Sequence, residues 1–345
     1  LNSQKLTRTL FTIVLIVGLL FYSKTFLIPI ILAIVLWYLI NAVSESLKRI
    51  PKLGQKLPDF IWLTLSSVTI FFLLFSIGGL IGQTINNMAS AAPDYEVNLD
   101  HQIQRLAHLI GYEREIDLAL LVSNIDMNKM LGSLLNSFKS LAQSFFMVLL
   151  YTLFLLFEQQ TFPRKIAALR MDKERKDSLS KMFTNINISV RKYIGVKFLA
   201  SLSTGVFSYV VIQYAGLDFA LFWAFVIFVF NFIPTIGSIV ATFFPSLIAL
   251  VQFETLTPFF IILIGVGLIQ ILIGVILEPK FYGNSLNISP LVIVISLVFW
   301  GQLWGIVGML LCVPITVIMI NVFAQFTRTR PIAVLLSQNG KLPAE

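Results

Sequence analysis

Glu278 is the residue with the most chemical promise. It closes a long apolar run as Leu277-Glu278-Pro279-Lys280, with Gly283 just beyond. Pro279 disfavours helical geometry at the residue before it, so the helix is expected to end at Glu278. A carboxylate there meets the negative end of the macrodipole and is shielded from water, and both effects work against a charge. A compensating group is therefore required: a cation from Lys280, Lys197 or Lys192, or a bound proton or Na⁺. The second promising stretch is Asn231-Phe232-Ile233-Pro234-Thr235-Ile236-Gly237-Ser238, set between FALFWAFVIFVF and IVATFFPSLIAL. Pro234 removes a backbone donor and Gly237 permits unusual dihedrals. Carbonyls near 229–232 and amides near 235–238 are thus expected to lose helical partners. The candidates for a transport path or a coupling site are Asn231, Pro234, Thr235, Gly237, Ser238, Glu278, Pro279, Lys280 and Gly283.

Other chemistries have no handle. No phosphate loop, HExxH or GxSxG is present, which removes ATP coupling and the commoner hydrolases; the chain is not expected to be an enzyme. His101 and His108, seven apart, would share a helix face, but exposed helix positions account for them better than a metal pair. Cys312 lies in GMLLCVPITVIMI and reads as a small core residue, so neither a disulfide nor a thiolate metal site is expected. No cofactor is expected beyond a coupling ion, H⁺ or Na⁺.

The elements that must hold these residues follow from composition. Of 345 residues, 57% are hydrophobic and 12% charged, against about 45–50% and 25% in soluble domains. This is an all-α, polytopic integral membrane protein, with lipid as its first partner. Its formal charge of +8 reports topology and not nucleic acid. Apolar runs at 9–22, 26–43, 60–82, 141–157, 196–215, 219–233, 236–252, 258–277 and 288–326 supply about ten membrane segments. The first reads as a retained helix and not a signal peptide. The runs 219–233 and 236–252 are short, either thin spans or a pair that enters and leaves by one face. The run 288–326 is too long for one helix. Trp300-Gly301-Gln302-Leu303-Trp304-Gly305, two glycines and two interfacial aromatics, splits it into a hairpin.

This divides the chain into N-terminal spans (1–82), an extracytoplasmic helical segment (83–140), a further span (141–157), a cytoplasmic amphipathic segment (158–195), a core with broken helices (196–326) and a tail (327–345). In the cytoplasmic segment Leu179, Met182, Phe183, Ile186, Val190, Tyr193 and Ile194 recur at helical spacing and predict an amphipathic helix feeding into the next span. Leu118 to Phe138 predict a similar outer helix whose stripe suits a subunit contact. Asp218 and Glu254 fall in short connections that reach water.

Taken in order, Tyr193-Ile194-Gly195, Asn231 to Ser238, Glu278-Pro279-Lys280 with Gly283, Ser289-Pro290-Leu291, Trp300-Gly301, Trp304-Gly305 to Leu311 and Pro314 resemble the autoinducer-2 exporter family of permease-like bacterial transporters. One departure is Val275, where members often carry Asn. The resemblance implies about eight spans plus re-entrant parts, a homo-oligomer, plausibly a pentamer, and export of small polar solutes without ATP. It also implies an alternative, Na⁺(Li⁺)/H⁺ antiport with Glu278 titrating. From another class, the helical extramembrane segments would suit a scaffold or channel that couples to no substrate.

Orientation rests on Lys and Arg near segment ends. Lys5, Arg8, Lys48, Arg49, Lys52 and Lys56, and the basic connection from Arg164 to Lys192, share one side with Arg328, Arg330 and Lys341; the acid-rich stretch Asp94 to Asp126 takes the other. Both termini are therefore expected in the cytoplasm, with the protein in the bacterial inner membrane. In a Cys312→Ser background, a cysteine replacing His108 should react with an impermeant maleimide added to intact cells, and one replacing Arg175 should not. Reversed labelling would overturn the orientation.

Overall fold

A computed structural model describes residues 3–49, 57–109, 145–168, 172–282, 287–340 and 342. The predicted outer helix at 118–138 and Gly283 lie outside them. Every regular element among the described residues is helical, as a bilayer demands of a chain with no closed barrel. The helices are α1 (Ser3–Tyr22), α2 (Lys24–Lys48), α3 (Asp59–Leu109), α4 (Phe145–Glu158), α5 (Phe162–Ala168), α6 (Lys173–Ala215), α7 (Ala220–Phe230), α8 (Ile236–Gln252), α9 (Thr257–Gln270), a π-helical segment Ile271–Leu277, α10 (Glu278–Tyr282), α11 (Pro290–Gln325) and α12 (Arg330–Leu336). Five stretches are long and apolar enough to cross a membrane: Lys24–Lys48, Asp59–Thr84, Asp177–Ala215, Thr257–Tyr282 and Pro290–Gln325. At 1.5 Å per residue α7, with 11 residues, is about 16 Å long, roughly half of a bilayer core.

Two compact units divide the chain: Leu1–Ser66, Ser144–Val196 and Tyr282–Glu345 form one, Ser67–Gln143 and Lys197–Phe281 the other. In the first unit α1 and α2 pack together and against α11, and α12 packs on α11. In the basic connection α6 runs unbroken from Lys173 to Ala215; Met182, Val190, Tyr193 and Ile194 are buried, Leu179 and Ile186 are half-buried, and Phe183 is exposed. Tyr193 stacks on Tyr282, and Arg191 pairs with Glu45.

The predicted hairpin is present inside α11. Gly305 adopts φ 63°, ψ −144°, the only non-helical residue between Pro290 and Gln325. The chain reverses there, because Ser296 Oγ lies 2.7 Å from Thr316 Oγ1 and donates to Cys312 O at 3.2 Å. Residues 20 apart on a straight helix would be about 30 Å apart. The arms touch closely at Gly308, where an added Cβ would lie 1.9 Å from the Trp300 carbonyl oxygen. Cys312 is fully buried, as expected. The two tryptophans are enclosed by protein. Trp300 and Trp304 are buried, their rings 4.8 Å apart, and Trp304 Nε1 donates to Leu20 O at 3.0 Å. The tight glycine contacts bring the arms so close that the rings are enclosed where the chain turns.

The second unit holds α7, α8 and α9 in sequence-neighbour packing around Ile212, Trp223, Ile227, Ile248, Ile262 and Val266. Two glycines allow close contacts with α6 and from it: a Cβ on Gly205 would lie 3.2 Å from both Ala224 O and Phe228 Cβ, and one on Gly265 would lie 2.7 Å from Val211 Cγ1.

For the hairpin, Gly305→Ala should lower the thermal unfolding temperature in detergent, since its φ/ψ region is nearly closed to residues with a side chain at a cost of about 1–3 kcal/mol. Gly308→Ala should do the same through its clash. Gly267, whose Cβ would meet nothing within 4 Å, is the control, and Gly267→Ala should leave stability nearly unchanged.

Candidate functional site

The second unit contains a line of buried polar side chains built on one face of α6. Lys197, Ser201, Thr204 and Ser208 follow one another at intervals of four, three and four residues, so they stack along a single face. Lys197 is 6% exposed and the other three are fully buried. Thr204 Oγ1 donates to Ala200 O at 2.9 Å, which is how a hydroxyl in an apolar helix satisfies itself.

Glu278 meets this line at its first residue. Lys197 Nζ donates to Glu278 Oε1 at 2.7 Å and to Oε2 at 3.0 Å, with side chains 7% and 11% exposed. Of the partners the sequence left open for Glu278, it is therefore Lys197 that supplies the positive charge. Lys280 is exposed. The expected helix end is corrected as well. Glu278 is helical, φ −56°, ψ −48°, and the helix continues past exposed Pro279 to Tyr282. The reason is the π segment. Glu278 N donates to Ile273 O, five residues back, and this wide turn accommodates a proline ring that a tight α turn would push into the preceding carbonyl. The extra residue also rotates the helix face, so that buried Ile262, Val266 and Gln270 line up with Ile273 and Glu278.

The stretch 231–238 joins α7 to α8 as a turn. Asn231 is 4% exposed, and its Nδ2 donates to Ser201 Oγ at 3.1 Å, which carries it into the polar line. The backbone is less bare than expected. Asn231 N donates to Ile227 O, Phe232 N to Val229 O and Ile233 N to Phe230 O. Thr235, exposed, has φ 60°, ψ −60° and sits at the centre of a γ-turn closed by Ile236 N on Pro234 O at 2.6 Å. That geometry is rare and strained for a β-branched residue. The unusual dihedrals thus belong to Thr235 and not to Gly237. Gly237 is needed for another reason: a Cβ there would lie 1.8 Å from Phe230 O, so only a glycine lets α8 start against the end of α7. Ser238 caps the turn through Oγ on Thr235 O at 2.8 Å. Pro234, Thr235 and Ser238 shape the turn, while Asn231 alone of this stretch joins the line.

Ser201, Thr204 and Ser208 were not singled out by sequence reading. Their spacing within an apolar run was the available signal, but serine and threonine bond their own helix so readily that type and spacing do not tell a lined path from a self-satisfied helix. Asp218 and Glu254 are exposed, as predicted; Asp218 N donates to Gln252 Oε1 at 2.9 Å.

All-helical, with five stretches long and apolar enough to cross a membrane, the chain has the build of a multi-pass membrane protein that carries a buried ion pair and a line of polar groups inside apolar helices. The comparisons make this specific: residues 10–328 match the model described as AI-2E family transporter, and the chain belongs to that family. It is 29% identical over 347 residues to the AI-2 transport protein TqsA of Escherichia coli (strain K12), covering 99% of this chain and 98% of the relative. A Haemophilus influenzae protein is 30% identical over 333 residues, 91% of this chain and 92% of its own length. A Borreliella burgdorferi protein is 43% identical over 188 residues, 53% of this chain and 51% of its own length. Both are named for transport without a stated solute.

A buried pair is strongly destabilised by losing one partner, by about 3–5 kcal/mol, whereas replacing both with apolar groups is often neutral. Lys197→Met and Glu278→Gln should each lower the yield of monodisperse protein and its unfolding temperature, and Lys197→Met with Glu278→Leu should recover most of the loss. Singles as stable as the parent would show that the pair contributes nothing to assembly.

Proposed function

We propose that the chain is a secondary transporter that moves a small polar solute outward across the bacterial inner membrane, without ATP, along the α6 polar line. One observation supports this above the others: four polar side chains in register on one face of an apolar helix, extended by Asn231 from the α7–α8 turn and by Glu278 from the π segment. Polar groups at membrane depth are costly and persist chiefly where they serve a pathway. Broken helices next to such groups are the usual construction of a transport site. The short α7 and the strained turn at its end favour a pair of helices that enters and leaves by one face. The protein is proposed to act as a homo-oligomer, with both termini in the cytoplasm.

A Na⁺(Li⁺)/H⁺ antiporter built on Glu278 is less favoured, because both carboxylate oxygens already face Lys197 and the charge has its counter-ion. The Escherichia coli relative is named for AI-2 transport, so AI-2 is the first solute to test. Reconstituted into sealed proteoliposomes, the full chain should release preloaded AI-2 saturably and faster than protein-free vesicles. Ser201→Leu, which fills the line beside Asn231, should cut that flux about tenfold or more while reconstituting normally. Imposed pH and Na⁺ gradients identify the coupling ion. Na⁺/H⁺ exchange with no solute flux would establish antiport instead, and no flux of either kind from well-assembled protein would leave a scaffold.

A further inference from the structure

Three buried polar groups of the second unit have no hydrogen-bond partner among the described residues: Ser208 Oγ, Trp223 Nε1 and Gln270 Nε2. Their residues are 0%, 1% and 7% exposed. In an apolar, water-poor interior each bare donor costs free energy, and such groups are rare unless something else satisfies them.

Register brings the three to one level. On one side α6 runs antiparallel to α9 and the π segment, because Lys197 meets Glu278 at one end and Val211 meets Gly265 at the other. Ser208 is one turn before Val211, which sets it within one turn of Gln270 on the opposite helix. On the other side α6 runs antiparallel to α7, because Ser201 meets Asn231 and Gly205 meets Ala224 and Phe228. Continuing that register sets Ser208 level with Trp223, which shares a buried cluster with Ile212, one turn further along α6. Gln270 follows Ile262 and Val266 on the buried face of α9. Three helices thus each contribute one unpartnered donor within one turn of the same level, about 16 Å along α6 from Lys197.

We infer that Ser208, Trp223 and Gln270 form a binding subsite for a small uncharged solute that presents oxygen acceptors, such as a polyhydroxylated or carbonyl compound. An indole N–H donates only, and an amide N–H₂ and a hydroxyl complete a donor set matched to acceptor oxygens. A bare cation needs the opposite, a cage of oxygen ligands. The role of the subsite as a station on the path rests on the transport reading, but its existence does not.

Cys312, fully buried, makes the test direct: a maleimide dye reacts with it only as the protein unfolds. With the full chain in lipid nanodiscs, AI-2 or D-ribose should raise the unfolding temperature saturably, and NaCl or LiCl at equal concentration should not. Ser208→Ala and Gln270→Leu should each raise the unliganded unfolding temperature, by removing a bare polar group, and weaken the midpoint for the sugar-like probe about tenfold, the factor one lost hydrogen bond supplies. If Gln270→Leu fails to insert, Trp223→Phe carries the same expected weakening. A shift undiminished in these variants, no shift with either neutral probe, or an equal shift with Na⁺ or Li⁺ overturns the subsite, whatever the flux. Absent AI-2 flux together with a variant-sensitive shift keeps the subsite and overturns the transport reading.

Discussion

The ion pair between Lys197 and Glu278 is the contact on which the second unit depends. Two full charges inside apolar helices are tolerated only when each is the other's counter-ion at hydrogen-bond distance. The pair ties the start of the unit's share of α6 to the end of the π segment, and so fixes the register of these antiparallel elements. Every polar contact further along α6 is placed by that register. The π segment is part of the same solution. A regular α-helix would have turned Glu278 away from the face that carries Val266 and Gln270, and would have pressed Pro279 into the preceding turn.

Close approach of backbones is the second device, and it works differently at each glycine. At Gly305 the dihedrals themselves are the requirement, since the chain must reverse between two arms of one hairpin. At Gly237 and Gly308 the dihedrals are ordinary and the need is space, because a carbonyl oxygen of the neighbouring arm occupies the position of a methyl group. The strain that does exist in the α7–α8 turn sits on Thr235.

The polar side chains of the second unit differ in how far they are satisfied. Near Lys197 the line is fully engaged: charge to charge, then Asn231 to Ser201, then Thr204 to its own helix. Farther along, the engagement stops and three donors stand without partners. In the other unit the Ser296, Thr316 and Cys312 cluster is satisfied, while Trp62 Nε1 is buried without a partner among the described residues.

The amino-acid sequence by itself determined the solvent and the class of the protein. A bilayer admits only long apolar helices in a chain of this composition, so the helical fold, the hairpin near Gly305, the continuation of the helix of the basic connection into an apolar span and the need of Glu278 for a compensating partner were all legible from apolar run length, glycine position and the lone carboxylate closing an apolar run. Tertiary structure decided the pairings. Lys197 was one of three cations that could have met Glu278, and only the antiparallel register of α6 with the π segment selects it. The helix through Pro279 depends on a π turn that no residue type announces, and the burial of Trp300 and Trp304 depends on how closely two arms approach. Ser201, Ser208 and Gln270 are polar residues of ordinary kinds in apolar runs. Whether such a group bonds its own helix, a neighbour or a solute is a question of which helices face each other, and local sequence carries no information about that.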